Sequence, residues 1–155
     1  MSVVLLLDIP GRSRLTLSHA VFDLNGTLSL DGALLPSVLP LWPAVASDLA
    51  CMVLTGDTFG TATSIGAVLG CPVQIVKDGL EKATLVRNLG EHVVAVGNGT
   101  NDIQMFEAAA LSIAVLGPEG AAARVLRTAD IVVPDIASAL GLLLAPNRLV
   151  ATLRP

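Results

Sequence analysis

Short apolar runs alternate along the chain with longer segments in which apolar residues recur at helical spacing. The runs are about four residues of Val, Ile, Leu, Ala or Cys, which is typical of strands buried on both faces. The segments between them are about ten residues long, as crossover helices are. This alternation predicts an α/β fold with a parallel sheet and right-handed crossovers. The predicted strands are Ala20–Asp23, Cys51–Leu54, Val73–Val76, Val93–Val96, Ser112–Leu116 and Ile131–Val133.

Polar residues and prolines mark where the helices between these strands begin. Asp57 or Thr58 can cap one helix, and Asp78 can cap another. Two prolines, Pro40 and Pro43, fall within the first predicted helix and disfavour a regular one. The predicted helices are Pro36–Leu49, Phe59–Leu69, Asp78–Leu89, Ile103–Ala110, Glu119–Arg127 and Ile136–Leu144.

Two apolar segments at the amino terminus lie on either side of the turn Pro10–Ser13. Segments Val3–Ile9 and Leu15–Leu24 therefore predict a hairpin whose second arm leads to Asp23. A small flap or second turn is expected at Ser29–Gly32. We expect a single domain over 1–155, with the hairpin at 1–18, a core at 19–145 and a carboxyl-terminal tail at 146–155.

The composition is unusually apolar for a chain of 155 residues. Hydrophobic residues make up 53% and charged residues 14%, against a usual charged share of about 25%, and the mean hydropathy is +0.75. The apolar runs are shorter than the roughly 20 residues of a membrane span, and no basic segment typical of a signal peptide precedes the first run. We therefore expect a cytoplasmic protein without a membrane partner, whose apolar excess forms a homo-oligomer interface (dimer or tetramer).

Charge and aromatic content argue against nucleic acid as a partner. The net charge is −4, only nine residues are Lys or Arg, and aromatic residues make up 3% of the chain. Cys51 and Cys71 lack the spacing of metal ligands and are predicted to be small buried side chains. His19 and His92 are isolated and are interpreted as structural.

Polar clusters follow three of the predicted strands, at the point where each strand ends. Because the carboxyl ends of parallel strands lie at one edge of a sheet, these clusters are expected to converge there. Lys82 lies on the helix just before the third of these strands, within reach of the same edge. The three clusters are Asp23-Leu24-Asn25-Gly26-Thr27, Thr55-Gly56-Asp57 and Gly97-Asn98-Gly99-Thr100-Asn101-Asp102.

The residues at this edge suit phosphoryl transfer. Asp23 can attack as a nucleophile, and Thr55 and Lys82 can hold phosphate oxygens. Carboxylates are the ligands that Mg²⁺ prefers, so Asp23 and Asp102 can share that cation. We therefore expect a phosphorylated substrate and a Mg²⁺ cofactor.

The order and spacing of these groups resemble the haloacid dehalogenase superfamily of phosphotransferases. Asp23–Leu28 resembles the first motif of that superfamily, Thr55 the second, Lys82 the third and Gly97–Asp102 the fourth. The fourth motif, with the helix after it and Ala110–Val115, is most similar to the phosphorylation domain of P-type ATPases. The resemblance covers about Phe22 to Leu144.

This resemblance implies a Rossmann-like three-layer sandwich, a Mg²⁺ cofactor and an aspartyl-phosphate on Asp23. It also implies that the backbone carbonyl of Asn25 is a metal ligand. The expected catalytic residues are Asp23, Asn25, Thr55 and Lys82. The expected phosphate-binding residues are Thr55, Gly56, Lys82, Gly26 and Thr27, and the expected metal ligands are Asp23, Asn25, Asn98 and Asp102. About 26 residues separate Leu28 from Thr55 and another 26 or so separate Thr55 from Lys82, which leaves no room for a cap domain.

Two positions depart from the pattern of the superfamily. Its phosphatases usually have an aspartate where this chain has Asn25, and that aspartate acts as acid and base. An amide does neither, so hydrolysis is expected to be slow or limited to activated phosphates. Asn98 replaces a metal-ligating aspartate and removes a unit charge, so weaker Mg²⁺ binding is expected.

Two other functions are compatible with parts of this pattern. Gly97-x-Gly99-x-x-Asp102 follows a strand and opens a helix, as a dinucleotide fingerprint does, but Asp102 replaces the third glycine and would repel a pyrophosphate. The stronger alternative is a catalytically weak or inactive binding or regulatory protein, which Asn25 and Asn98 favour. The retention of Asp23, Thr55, Lys82 and Asp102 favours an enzyme.

Overall fold

The computed structural model describes residues 4–57 and 59–155. Its strands are short, and helices alternate with them from residue 42 onward. In chain order the elements are β1 (Leu5–Leu7), β2 (Leu15–Leu17), β3 (His19–Asp23), β4 (Ser29–Leu30), β5 (Ala33–Leu34), α1 (Trp42–Asp48), β6 (Ala50–Thr55), α2 (Ala62–Leu69), β7 (Val73–Ile75), α3 (Gly79–Leu89), β8 (Val93–Gly97), α4 (Ile103–Ala108), β9 (Leu111–Val115), α5 (Ala123–Thr128), β10 (Ile131–Val133), α6 (Ile136–Leu144) and α7 (Pro146–Leu153).

The main sheet contains six of these strands in the order β10-β9-β8-β3-β6-β7, and every neighbouring pair is parallel. After β3 the chain first builds β6 and β7 on one side and then β8, β9 and β10 on the other. The strand order therefore reverses beside β3, where open α/β sheets bind their ligands. The predicted parallel sheet is confirmed.

Helices cover both faces of the sheet, which makes the three-layer sandwich that was predicted. One face packs against α1, α2, α6 and α7, and the other packs against α3, α4 and α5. On the first face the rings of Phe22 and Trp42 lie 4.9 Å apart. Trp42 also donates its indole N–H to the carbonyl of Leu69 at 3.0 Å, which ties α1 to the end of α2.

The smaller elements lie around this sandwich. Strands β1 and β2 form the predicted amino-terminal hairpin, with Leu5 opposite Leu17, whereas Val3 falls outside the described residues. Strands β4 and β5 form a second hairpin at the predicted flap. Residues 146–153, predicted as a tail, form α7, which buries Leu149 completely and packs on β1 and α6.

Three predicted helices begin later in the structure than expected. Helix α1 begins at Trp42 because Pro43 is tolerated only in its first turn. Helix α2 begins at Ala62, whose N–H donates to the Asp57 carboxylate at 2.9 Å, while Thr58 lies outside the described residues. Helix α5 begins at Ala123, and the residues before it form a loop.

Within residues 4–57 and 59–155, no single helix has both the length and the apolar character to cross a membrane. Helices α6 and α7 pass that test only when taken together, and they are bent by 103° at the break between them. Both helices bury apolar side chains against the rest of the chain.

Candidate active site

A cavity of about 240 Å³ lies at the carboxyl edge of the sheet, between the ends of β3, β6 and β8. Each of the three predicted polar clusters contributes to its wall. The lining residues are Asp23, Asn25, Thr55, Gly56, Asn98, Gly99, Asn101 and Glu119. The convergence expected from a parallel sheet is therefore observed.

Asp23 is the last residue of β3 and is only 7% exposed. One carboxylate oxygen accepts a hydrogen bond from Lys82 Nζ at 2.8 Å, and the other accepts one from Thr27 Oγ1 at 3.2 Å. Burial and the nearby charge of Asp102 raise the pKa of Asp23 to about 7, although Lys82 and Thr27 favour its ionised form. The carboxylate is held in one orientation at the wall of the cavity.

Lys82 lies beneath Asp23, on the first turns of α3. The Asp78 carboxylate caps that helix by accepting the N–H of Glu81 at 2.9 Å. Lys82 is 1% exposed, and its ammonium contacts the carboxylates of Asp23 at 2.8 Å and Asp102 at 2.9 Å. Burial alone would lower the pKa of Lys82, but the two carboxylates outweigh it and the pKa is raised. The site therefore contains a buried ammonium group that is paired with two carboxylates.

Asp102 supports this arrangement from below. It is fully buried, with one oxygen on Lys82 and the other accepting the N–H groups of Asn98 and Gly99 at 3.0 Å each. It is not among the residues that line the cavity. The carboxylate orients Lys82 and the loop after β8, and its role as a metal ligand stays a prediction.

Gly26 and Thr27 lie in a tight turn, where their backbone N–H groups donate to nearby carbonyls. The N–H of Gly26 donates to the carbonyl of Ser29 at 2.8 Å, and that of Thr27 donates to the carbonyl of Leu24 at 3.2 Å. The Thr27 hydroxyl is fully buried between Asp23 and Asn98. Phosphate binding by these two residues stays a prediction, and in the structure they shape the turn and orient the nucleophile.

Thr55 and Gly56 line the cavity where they were predicted, at the end of β6. Thr55 is 1% exposed, and its hydroxyl oxygen accepts the N–H of Asp57 at 3.0 Å. That bond leaves the hydroxyl proton of Thr55 for another acceptor, such as a phosphate oxygen.

Two amide side chains, Asn25 and Asn98, occupy the positions that depart from the superfamily pattern. The Asn25 oxygen accepts a hydrogen bond from Ser29 Oγ at 3.4 Å. The Asn98 oxygen accepts from Thr27 Oγ1 at 3.3 Å, and its amide nitrogen donates to the carbonyl of Gly120 at 3.1 Å. Both amides line the cavity beside Asp23.

A model of the haloacid dehalogenase-like hydrolase family matches residues 58–142, which is more than half of the chain. The chain belongs to this family. The match lies after Asp23, so the family assignment does not depend on the first motif. The superfamily resemblance found in the sequence is confirmed.

Two relatives match parts of this hydrolase. The uncharacterized protein MJ0073 of Methanocaldococcus jannaschii is 48% identical over 67 residues, which cover 43% of this chain and 72% of that protein. The phospholipid-transporting ATPase C887.12 of Schizosaccharomyces pombe is 36% identical over 62 residues. That match covers 40% of this chain but only 5% of the ATPase, so the likeness to P-type ATPases is confined to a short segment.

A solved structure extends the similarity to nearly the whole fold. The 3-deoxy-D-manno-octulosonate 8-phosphate phosphatase of Moraxella catarrhalis, in complex with a magnesium ion, a phosphate ion and KDO, superposes with a TM-score of 0.67. The alignment covers 89% of this chain and 94% of that one at 18% identity. At that identity the likeness establishes the shared fold.

Glu119 and Asn101 line the cavity of this hydrolase but were not predicted as site residues. Asn101 belongs to the fourth motif, so its place beside Asn98 is explained by that motif. Glu119 was assigned to the start of a helix, although the glycines on both sides of Pro118-Glu119 are a turn signal. Gly117 and Gly120 both have positive φ, at 49° and 73°, which keeps this segment a loop.

The donors that line the cavity fit a hard divalent cation. The side chains of the lining residues carry carboxylate, amide and hydroxyl oxygens, and carboxylate and amide oxygens are ligands of Mg²⁺ and Ca²⁺. No group of three or more His, Cys, Asp or Glu side chains in the described part of the chain has metal-site geometry. A cation here therefore needs amide or backbone oxygens in addition to carboxylates.

Proposed function

We propose that this protein is a divalent-cation-dependent phosphatase or phosphotransferase that forms an aspartyl-phosphate on Asp23. The observation that carries the proposal is the buried carboxylate of Asp23, held at the cavity wall by Lys82 and Thr27. Family membership supports hydrolysis, and the phosphate and magnesium ions in the Moraxella catarrhalis enzyme support the substrate class and the cation.

The residues divide the chemistry between them. An oxygen of Asp23 attacks phosphorus, the bond from phosphorus to the leaving group breaks, and the leaving group departs with its electron pair. Thr55 donates a hydrogen bond to a phosphate oxygen, and Lys82 balances negative charge next to Asp23. Water then attacks the acyl phosphate, which releases inorganic phosphate and restores Asp23.

The cation would be held by Asp23, the carbonyl of Asn25 and the amide oxygen of Asn98. When bound there, Mg²⁺ would offset negative charge on the phosphate and make phosphorus more electrophilic. Asn98 and Asp23 both place an oxygen within about 3.3 Å of the Thr27 hydroxyl, so these two oxygens converge on one side of the cavity.

Asn25 makes the reaction slow or restricts it to activated phosphates. An amide can neither protonate a leaving group nor take a proton from water, and general acid or base catalysis contributes about 10²–10⁴-fold. Acyl phosphates have leaving groups that need no proton. We therefore expect phosphorylation by acetyl phosphate to exceed turnover of alkyl phosphates.

The test is incubation with Mg²⁺ and acetyl phosphate, followed by mass spectrometry of the intact protein and measurement of released phosphate. The expected result is a phosphorylated protein that is absent for Asp23→Asn and decays about 10²-fold or more faster for Asn25→Asp. No phosphorylation of the parent, of Asn25→Asp or of the double variant Asn25→Asp/Asn98→Asp would overturn the proposal. That outcome would leave the second candidate, a binding or regulatory protein with the same fold, which the two amides favour.

Assembly and location are further parts of the proposal. The apolar composition supports a homo-oligomer, and we place the protein in the cytoplasm. Sedimentation at micromolar concentration tests the first part, with a dimer or tetramer expected and a monomer contradicting it. Cell fractionation tests the second, with recovery in the membrane fraction contradicting it.

A further inference from the structure

Glu119 lies on a loop that is fixed against both neighbouring parts of the site. The Asn98 amide nitrogen donates to the carbonyl of Gly120 at 3.1 Å, and the N–H of Ala122 donates to the carbonyl of Asn98 at 2.9 Å. On the other side, a Cβ at Gly117 would lie 3.0 Å from the carbonyl oxygen of Gly26. The loop 117–122 is therefore held between the turn after Asp23 and the loop after β8.

The turn after Asp23 lies directly against the Glu119 carboxylate. A side chain at Gly26 would overlap both Glu119 Oε2 and the Asn98 amide. Gly26 also has a φ of 80°, which favours glycine. The carboxylate of Glu119 and the amide of Asn98 therefore meet over a position where only a hydrogen atom fits.

Asn98 and Glu119 together determine how many carboxylates lie at the cavity. Asn98 is neutral where the superfamily usually has a metal-ligating aspartate, and its nitrogen is engaged in holding the loop of Glu119. Glu119 lines the same cavity as Asp23, and these are the two carboxylates in the lining formed by the described residues. An aspartate at position 98 could not donate to Gly120, so the amide that removes one charge also positions another.

We propose that Glu119 supplies the second carboxylate of the cation site, in place of the aspartate that Asn98 replaces. Asn98 is then a positioning residue for the Glu119 loop as well as an oxygen donor. This inference rests on the metal-dependent reaction proposed above, and it names a residue outside the four motifs, 17 positions after Asp102.

The test measures cation binding directly, without turnover. Free Mn²⁺ is followed by electron paramagnetic resonance during titration of the parent, Glu119→Gln and Glu91→Gln. Glu91 is exposed before β8, at the opposite end of the sheet, so Glu91→Gln makes the same charge change away from the cavity. We expect the Kd of Glu119→Gln to rise about tenfold or more, and that of Glu91→Gln to equal the parent value.

Two outcomes separate this inference from the proposed function. Equal Mn²⁺ affinity of the parent and Glu119→Gln would overturn the inference alone, even if Glu119→Gln lost hydrolytic activity, because the carboxylate would then act on protons. Absence of saturable Mn²⁺ binding in the parent would overturn both proposals.

A second variant tests whether positions 98 and 119 are alternative sources of one charge. The double variant Asn98→Asp/Glu119→Gln returns a carboxylate to position 98 while keeping the total charge of the parent. We expect its Mn²⁺ affinity to recover about tenfold relative to Glu119→Gln. If the double variant has the Tm of Glu119→Gln but binds Mn²⁺ no better than Glu119→Gln does, a carboxylate at position 98 does not replace the one at position 119, which contradicts the inference.

Discussion

The layer of residues beneath the cavity lining (Thr27, Lys82 and Asp102), which we call the floor, is almost completely buried. The rim of the cavity (Asn25, Gly56, Asn101 and Glu119) is half-buried or exposed. In the floor, each polar group contacts another group of the site at 2.8–3.3 Å. The rim residues line the cavity itself. The polar groups of the floor are therefore paired with other groups of the site, whereas those of the rim are available to a ligand that enters from solvent.

Substitutions in the floor and in the rim should affect different properties of the protein. A buried charge that loses its partner is left without water or counter-charge, which costs several kcal/mol. A rim side chain that changes keeps its solvent, so the fold barely responds. Changes in the floor should accordingly alter folding, and changes in the rim should alter cation binding and turnover.

Lys82→Met should have the largest effect on folding. It leaves the carboxylates of Asp23 and Asp102 buried side by side, and we expect the free energy of unfolding at pH 7 to fall by about 3–5 kcal/mol. Lys77→Met is the matched control, because Lys77 is exposed just before the same helix. Urea denaturation of both variants measures the difference. Similar stabilities of the two would show that the buried contacts of Lys82 contribute little.

Gly26→Ala should have the next largest effect on folding, because it forces apart the turn after Asp23 and the side chains of Glu119 and Asn98. The added methyl group combines a positive φ with overlap at Glu119 and Asn98, so we expect a loss of about 2–4 kcal/mol. Gly70→Ala is the control: Gly70 has a φ of 66°, but its Cβ would meet nothing within 4 Å. Its loss should be only about 1 kcal/mol. Equal losses would mean that the turn and the Glu119 loop separate easily.

The pH dependence of stability should be smaller and should trace to Asp23. Its pKa is raised to about 7 in the folded chain and returns to 3.8 on unfolding, so the folded state binds one more proton between those values. Stability contributed by this group is complete below pH 4 and declines as the pH rises towards 7. From pH 5 to pH 7 the decline should be about 2 kcal/mol in the parent relative to Asp23→Asn. Parallel stability curves for the two proteins would contradict this assignment.

The same contrast explains which residues the sequence could identify. Asp23, Thr55 and Lys82 lie on strands and a helix whose apolar periodicity is clear, and the parallel topology then brings them to one edge. Glu119 was missed because its segment resembles the start of a helix, and only the positive φ of Gly117 and Gly120 makes it a loop.

The contacts of the turn after Asp23 were also beyond the sequence pattern. Gly26 donates its N–H to Ser29, and that bond depends on where the β4–β5 hairpin begins. Likewise, Asp102 stands in a recognisable motif, yet its burial beneath Lys82 follows from how the loop after β8 folds around it. Motif order predicts which residues gather, and backbone hydrogen bonding decides which of them face the cavity.

Glu119→Gln should have the smallest effect on folding, although it removes a full charge. The side chain is exposed, so we expect the free energy of unfolding without added cation to change by less than about 0.5 kcal/mol. Asp102→Asn is the matched change in the floor, and it should cost about 2–3 kcal/mol, because the new amide cannot accept from Lys82, Asn98 and Gly99 together.

Saturating Mg²⁺ should reveal an effect of Glu119→Gln on stability. The parent gains stability through cation binding, and Glu119→Gln gains less at the same Mg²⁺ concentration. Thermal melting with and without Mg²⁺ measures both quantities, and a Tm increase equal in the two proteins would place Glu119 outside the cation site.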